Sequence, residues 1–561
     1  MNALFIIIIT FAGYIIAYNT YGRWLSAKIF ELDDSLQVPS VAHADGKDFV
    51  KSKKGVVFGH HFTSIAGTGP IVGPAIGVIW GWVPALLWIF FGSIIMGAVH
   101  DFGTLVVSLR HDGRSIADIA GDYVSPRMRI FFLIVVFLAV MIVISVFCLV
   151  IASVFKLFPS SVFPVWFQIP IAVILGRSIK GRETGVKRFT ATAVLIMYLS
   201  VFAGRFMEFT MPSISGLPST GVWTIILLIY AFIASILPVT ALLQPRDYIN
   251  AWQLFIAMGL MLSGAVFSGI CGKLMMTAPA VNTAPVGAPP VGPTLFIIIA
   301  CGAVSGFHSL VSSGTSAKQL SREKDALFVG YGSMLVEAAL ATLVLVAVAA
   351  GIGDNSAWSA HYASWSASSG LAAKLDAVVK GSANMMLSIG MPYNLSAAVM
   401  GVFIASFAGT TLDSAARIQR YVVAEVSKAC GFDYFTKIIP AAILVVLSSG
   451  VLAFASGADG KGALMLWPMF GAVNQLLAAL ALIVVSLYLR RNGGRKFSVT
   501  ILPCIFMLII TLWSVTVNET EFFRNAQWTL AVVNGSVIVM TVVMLIESVI
   551  VFLRRRDVQS A

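Results

Sequence analysis

Apolar stretches of membrane-crossing length follow one another almost without pause from residue 3 to residue 553. A helix needs ~20 apolar residues to cross the hydrocarbon core of a bilayer. About fifteen such stretches occur, at 3–24, 55–80, 83–109, 130–155, 161–179, 189–205, 222–240, 250–270, 294–315, 328–350, 383–408, 437–455, 463–488, 499–516 and 528–553. Of 561 residues, 58% are hydrophobic and 11% charged, against ~25% charged in a soluble globular chain. No water-soluble core needs that much apolar surface. The expectation is therefore an all-α membrane protein, with one polytopic membrane domain over 1–561.

The net charge of +12 comes from 37 Lys and Arg against 25 Asp and Glu. These basic residues sit in short loops between apolar runs, the distribution that orients membrane helices. It marks the lipid bilayer as a partner and argues against nucleic acid. The loop between the fifth and sixth stretches carries Arg177, Lys180, Arg182, Lys187 and Arg188 against Glu183 alone, which places it in the cytoplasm. Alternation then puts loops 110–129, 316–327, 409–436 and 489–498 on the same side, each with its own Arg or Lys group. In this register the N-terminus is outside, and the C-terminus, with Arg554, Arg555 and Arg556, is cytoplasmic. The first stretch has no basic leader and no A-x-A site, and Arg23 and Lys28 follow it. It reads as a retained helix. The five cysteines are scattered without a CxxC pair, so they form neither a disulfide nor a metal framework.

The second stretch cannot be one straight helix. It contains Gly59-His60-His61-Phe62-Thr63-Ser64-Ile65-Ala66-Gly67-Thr68-Gly69-Pro70-Ile71-Val72-Gly73-Pro74. Gly costs ~1 and Pro ~3 kcal/mol in a helix interior. Two half-helices joined near Gly67–Gly69 are expected. The freed backbone must then line a protein cavity, because lipid offers it no hydrogen bonds. The alternative is a kink for close packing, but packing alone does not account for two His and several hydroxyls beside the break. A second break is expected in the seventh stretch, at Leu237-Pro238 to Gln244-Pro245-Arg246-Asp247. Five stretches apart and opposite in direction, the two breaks point to an inverted-repeat carrier. Its repeats would span 55–205 and 222–408, with an extra N-terminal helix at 3–24 and additional helices over 437–553.

Several intramembrane polar groups carry candidate chemistry. The half-helix after Gly69 points N–H groups at the midplane, a setting that favours a carboxylate. His60, His61 and His308 can bond an anion and take a proton near neutral pH. Adjacent His60 and His61 face different ways on a helix, against a metal site. Ser312, Ser313 and Thr315, near the inner end of the ninth stretch, either offer oxygens to a sodium ion or bond back to their own helix. His100-Asp101 reads as a buried structural pair, with a proton relay as the other reading. Glu337 and Glu547 are lone membrane acids, Glu337 being the better coupling candidate. In Gly409-Thr410-Thr411-Leu412-Asp413-Ser414-Ala415-Ala416-Arg417-Ile418-Gln419-Arg420, Asp413 and Arg417 at i,i+4 either form a gate ion pair or belong to an ordinary helix end.

The run Val57-Phe58-Gly59-His60-His61-Phe62 through Gly67-Thr68-Gly69-Pro70-Ile71-Val72-Gly73-Pro74-Ala75, with His100-Asp101-Phe102 and Thr410-Thr411-Leu412-Asp413, closely resembles the carbon starvation protein A family. The likeness extends over most of the chain. It implies a bacterial or archaeal inner-membrane permease for pyruvate, or for peptides. It also implies the fold of the amino acid–polyamine–organocation superfamily, a LeuT-like inverted five-helix repeat plus additional helices. Pyruvate–proton symport is the activity that the resemblance implies.

The expected function is thus secondary active import of a small carboxylate by alternating access, with peptide uptake as the alternative. Thr63, Ser64, Gly67, Thr68 and Gly69 are the expected substrate cradle, completed by Gln244 and His308 from the second repeat. His60, His61 and Glu337 are the expected proton-coupling groups; Asp413 and Arg417 the expected gate. No cofactor or metal is expected, and the coupling ion is a proton, or sodium if the hydroxyl site is real. An intramembrane enzyme would need an HExxH pair or a paired-aspartate motif, and neither is present. A sensor without transport would be marked by binding without flux.

Overall fold

The computed structural model describes residues 1–179 and 186–554. Lys180, Arg182 and Glu183 of the basic loop lie outside the described residues, as do Arg555 and Arg556. The described chain is helical, with isolated backbone bridges and no strand among the described residues.

Short surface helices aside, the helices run in order as follows. The first is α1 (Ala3–Ala17), then α2 (Lys54–Ala66), α3 (Gly69–Gly77), α4 (Trp82–Phe91) and α5 (Ala98–Leu109). Next come α6 (Pro126–Leu157), α7 (Val162–Ile179), α8 (Val186–Gly204), α9 (Ser219–Ile236) and α10 (Leu243–Ile270). Then α11 (Val291–Ile298), α12 (Ala300–Ala303), α13 (Gly306–Gly314), α14 (Gly332–Val346) and α15 (Leu371–Leu387). The chain finishes with α16 (Tyr393–Cys430), α17 (Ile438–Ala453), α18 (Trp467–Gly493), α19 (Ser498–Arg524) and α20 (Trp528–Leu553). Taken with their direct continuations, twelve segments among the described residues are long and apolar enough to cross a membrane.

Burial sorts these segments into a centre and a lipid-facing shell. In the most apolar 18-residue window of each span, 94% of residues are buried in Lys54–Trp80 and 100% in Gly462–Asn492, against 22% in Trp528–Leu553. The outer helices show Ile, Val, Phe and Trp outward, as at Ile8, Ile9, Trp513, Val532 and Val539. Lipid is as apolar as these side chains, so helix association here depends on close packing and internal polar bonds. The longest helices, α6 and α16, lie against each other as a spine, tied where the Gln419 amide donates to the Phe137 carbonyl at 2.9 Å. The start of α6 is set locally: Pro126 stands in the first turn, and the Ser125 hydroxyl accepts from the Met128 N–H. Ser125 also donates to Glu547, so that acid is paired near the end of α20.

The expected break in the seventh stretch is corrected. Helix α9 is continuous to Ile236, and 237–242 is the connection between two separate membrane-length helices. Pro238 explains the stop, because the residue before a proline is pushed out of helical geometry, and Leu237 has ψ 150°. Pro245 falls in the first turn of α10, where its missing N–H costs nothing. The connection lies beside the segment before α2: the Val239 N–H donates to the Lys47 carbonyl at 3.0 Å.

The second interruption lies instead in the ninth stretch. Val304 and Ser305 are extended, with ψ near 128° and 132°, between α12 and α13. The stretch Gly409–Arg420 is also corrected as a helix end. It is interior to α16, which continues to Cys430 before Gly431 terminates it at φ 77°.

Candidate functional site

Helix α2 ends at Gly67, whose φ of 43° and ψ of −141° only a residue without Cβ holds at low cost. Thr68 follows, and α3 starts at Gly69 with Pro70 in its first turn. Ending a helix here leaves its last carbonyls without helical partners. Helix α16 supplies two of them: Thr410 Oγ1 donates to the Thr63 carbonyl at 3.0 Å, and Thr411 Oγ1 to that of Ser64 at 3.1 Å. The Ser64 hydroxyl pairs with that of Ser414 at 2.7 Å. The Thr63 hydroxyl turns back to the Gly59 carbonyl at 2.9 Å.

The break in the ninth stretch is held by α18. Asn474 Oδ1 accepts from the Phe307 N–H at 2.9 Å, while its amide nitrogen donates to Ser305 Oγ at 3.0 Å. The two interrupted segments lie side by side and antiparallel. Gly69 is against Cys301, Gly73 against Ile298 and Ile299, and Gly77 against Ile299 and Leu295. A Cβ on Gly73 would stand 2.7 Å from the Ile298 carbonyl oxygen, so the glycines of α3 permit this backbone approach.

Two buried ionisable clusters flank this crossing. In one, His308 Nδ1 bonds Asp101 Oδ2 at 2.9 Å, and His100 Nδ1 bonds Asp101 Oδ1 at 2.8 Å. The other nitrogen of His308 lies 3.5 Å from Glu337 Oε2. In the other cluster, Arg246 Nη1 donates to Asp413 Oδ2 at 2.5 Å and to the Tyr230 hydroxyl, which itself donates to Asp413 at 2.8 Å. Between the two, His60 Nδ1 bonds Asp247 Oδ2 at 2.5 Å, and its Nε2 meets Thr315 Oγ1 at 3.0 Å. His61 Nδ1 bonds Ser316 Oγ at 2.8 Å.

Most of the expected site residues therefore meet, though not all as expected. Gln244 is away from the break: its amide donates to Ser52 Oγ at 2.8 Å and Gln319 Oε1 at 2.6 Å. Ser313 and Thr315 bond back to the carbonyls of Ser309 and Val311 at 2.7 and 3.0 Å. Ser312 Oγ is buried without a partner. The expected Asp413–Arg417 ion pair is corrected. Asp413 is taken by Arg246, and Arg417 reaches Asp48 at 2.7 Å and the carbonyls of Ala234 and Leu237. Helical spacing allowed the pair, but stronger partners on other elements take each end.

Arg417 and Arg420 together clasp Asp48. Burial pushes the Asp48 carboxyl up, but the two guanidiniums outweigh it and hold it below the usual carboxylate range. His100-Asp101 is a pair, as expected, yet Asp101 also reaches the ninth stretch through His308. Sequence reasoning missed Asp247 and Arg246 as partners, although both stood inside an apolar run. It missed Asn474 altogether.

One cavity of ≈ 10 Å³ borders Trp166, Tyr230, Arg246 and Gly409. Another of ≈ 20 Å³ borders Ser115, Lys318, Tyr421 and Glu425. Neither touches Gly67–Gly69, where Thr411 and the Phe147 ring close over the break, within 2.8 and 3.2 Å of where a Gly67 Cβ would stand.

Unwound backbone sheltered at the centre of an all-helical membrane bundle is the build of a membrane transporter. The chain matches the family model for carbon starvation protein CstA over residues 2–355 and 354–514, and it belongs to that family. It is 31% identical to the peptide transporter CstA of Escherichia coli (strain K12), over 91% of this chain and 80% of that one. It is 28% identical to the pyruvate/proton symporter BtsT of the same organism, over 96% of this chain and 85% of that one. Among solved structures, MhsT in complex with L-phenylalanine aligns with a TM-score of 0.48 at 13% identity, over 82% of this chain and 98% of that one. The Eremococcus coleocola manganese transporter, in complex with an aromatic bis-isothiourea substituted compound, aligns with a TM-score of 0.47 at 13% identity, over 91% and 98%.

Proposed function

We propose that this chain imports a small carboxylate, pyruvate first among them, by proton symport with alternating access across a bacterial inner membrane. The observation that carries the reading is the antiparallel pair of interrupted helices, with buried His and carboxyl groups at their crossing. The start of α3 offers backbone N–H groups to an anion, and Thr63, Ser64, Gly67, Thr68 and Gly69 are the cradle. His60, His61 and Glu337 are the coupling groups, and the BtsT relative is named for the same cargo and ion. Sodium at Ser312 is the alternative coupling.

The proposed topology has fifteen crossings. They are the twelve long segments, the shorter apolar helices Arg188–Gly204 and Ile438–Ala453, and the interrupted stretch 291–315. The N-terminus is then periplasmic and the C-terminus cytoplasmic. The two five-helix repeats then take other bounds than 55–205 and 222–408, with α7 and α8 as an inserted hairpin. The first repeat is α2/α3, α4/α5, α6, α9 and α10; the inverted second is α11/α12/α13, α14, α16, α17 and α18. Each then begins with an interrupted helix, and each has a long third helix, α6 or α16, in the central spine.

The test is uptake of labelled pyruvate by cells lacking their own pyruvate carriers. Accumulation that an uncoupler abolishes supports the reading, and absence of uptake overturns it. Peptide import is a second reading, favoured by the names of several relatives. Inhibition of uptake by di- and tripeptides, together with their own accumulation, would select it.

A further inference from the structure

We infer that Asp101, His308 and Glu337 form a single proton relay beside the two breaks. The inference rests on the proton-symport reading above and assigns the proton a place within it.

The roles follow from the donors and acceptors present. A carboxylate only accepts, so the His308 Nδ1–H donates to Asp101 Oδ2 at 2.9 Å. This fixes the tautomer and leaves Nε2 with a free lone pair, 3.5 Å from Glu337 Oε2. His308 Nε2 and both carboxyl oxygens of Glu337 are buried and have no hydrogen-bond partner. Buried polar atoms are rarely left so, and here the two orphaned groups face each other. The transfer balances on one proton: Glu337 Oε2–H gives it to His308 Nε2, leaving a carboxylate beside an imidazolium. The reverse step returns it.

With Nδ1 committed to Asp101, His308 has an N–H for Glu337 only when Nε2 carries the proton. The other titratable groups around it are His100, bonded to Asp101; His61, with Nε2 unpartnered; His60, bonded to Asp247; and Cys301, which faces Glu337. Among the described residues, no Lys or Arg forms an ion pair with Asp101 or Glu337, so histidines alone balance their charge.

Two measurements on the reconstituted protein test this. The first uses no substrate: pH-difference infrared spectra should show a carboxyl stretch and an imidazole band titrating together. E337Q should remove the first and displace the second, and D101N should displace the shared midpoint by at least one pH unit. Bands that titrate independently, or survive in E337Q, overturn the relay whatever the cargo is. The second is transport in proteoliposomes. E337Q should keep pyruvate counterflow within about twofold of the parent while losing at least ninety per cent of uptake driven by a proton gradient; E337D should recover part of it. Gradient-driven uptake by E337Q equal to the parent's overturns the relay and leaves the symport reading intact. Linked infrared bands without any pyruvate movement by the parent overturn the cargo instead.

Discussion

The two charge clusters that flank the crossing solve the same problem differently. On the α9, α10 and α16 side, Arg246 meets Asp413 with Tyr230 bonded to both. On the α5, α13 and α14 side, Asp101 and Glu337 form ion pairs only with histidines among the described residues. A guanidinium never gives up its proton in a protein, whereas an imidazole does so near neutral pH. The first cluster is therefore a permanent tie and the second a variable one. The proton symport proposed above would use both: a frame that does not respond to pH, and a centre that does.

The largest effect should come from breaking the permanent tie. Removing one partner of a buried ion pair leaves an uncompensated charge and costs ~3–5 kcal/mol. Arg246→Ala, with Asp413 left fully buried, should lower the thermal midpoint of the protein in detergent by many degrees. Adding Asp413→Asn should recover a large share, because the orphaned charge is then gone. If R246A melts like the parent, the frame half of the comparison is broken.

Between the clusters, the Gly67 backbone has a smaller but sharper role. An alanine there would be strained at φ 43° and would press on Thr411 Oγ1 and Phe147. A cost of ~1–3 kcal/mol is expected for backbone strain of this kind. Gly67→Ala should still insert and fold while losing most transport, since the strain falls on the break itself. Normal transport by G67A would remove the break from the mechanism.

Asp48 sharpens the contrast through pH. Its folded carboxyl is held below the usual range by Arg417 and Arg420, with burial opposing. A depressed carboxylate stabilises the fold above its unfolded value, and loses that contribution as pH falls through the folded one. The clasp is thus fully present from pH 5 to 8, the window in which histidines titrate. Asp48→Asn should cost ~1 kcal/mol, the pair being partly exposed. It should make the face around Asp48 more open to a cysteine-reactive probe by the same factor at pH 5.5 and pH 8. A pH-dependent factor would mean that the clasp belongs to the switching half of the molecule.

What the sequence made legible was covalent and local. Gly67, Gly69, Pro70 and Pro74 announce a break because each carries its helix cost in its own backbone, and α2 and α3 part there. The break at Val304-Ser305 has a weaker mark, Gly302 and Gly306 on either side and no proline. It is held by Asn474, 169 residues away, and no local propensity reports a distant side chain. Pro238 misled for the opposite reason: the same residue ends a helix or interrupts one, and only the course of the following chain decides between them. His308 and Glu337 stood out as ionisable groups within apolar runs. Asp101, which His308 bonds, looked complete beside His100, its neighbour in sequence.

The smallest expected effect bears on the coupling ion. Ser312 Oγ is buried and unpartnered, while Ser313 and Thr315 already bond to their own helix. With a proton as the coupling ion, Ser312 has nothing to hold, and Ser312→Ala deletes an unsatisfied hydroxyl for a change within about 0.5 kcal/mol. Uptake by S312A should then match the parent with sodium or potassium outside. Were sodium bound there, one of few oxygen ligands would be lost. The sodium concentration giving half-maximal uptake would rise several-fold while uptake at saturating sodium persisted. That displacement would move the switching element from the histidine cluster to the C-terminal end of α13, with the Arg246 frame unchanged.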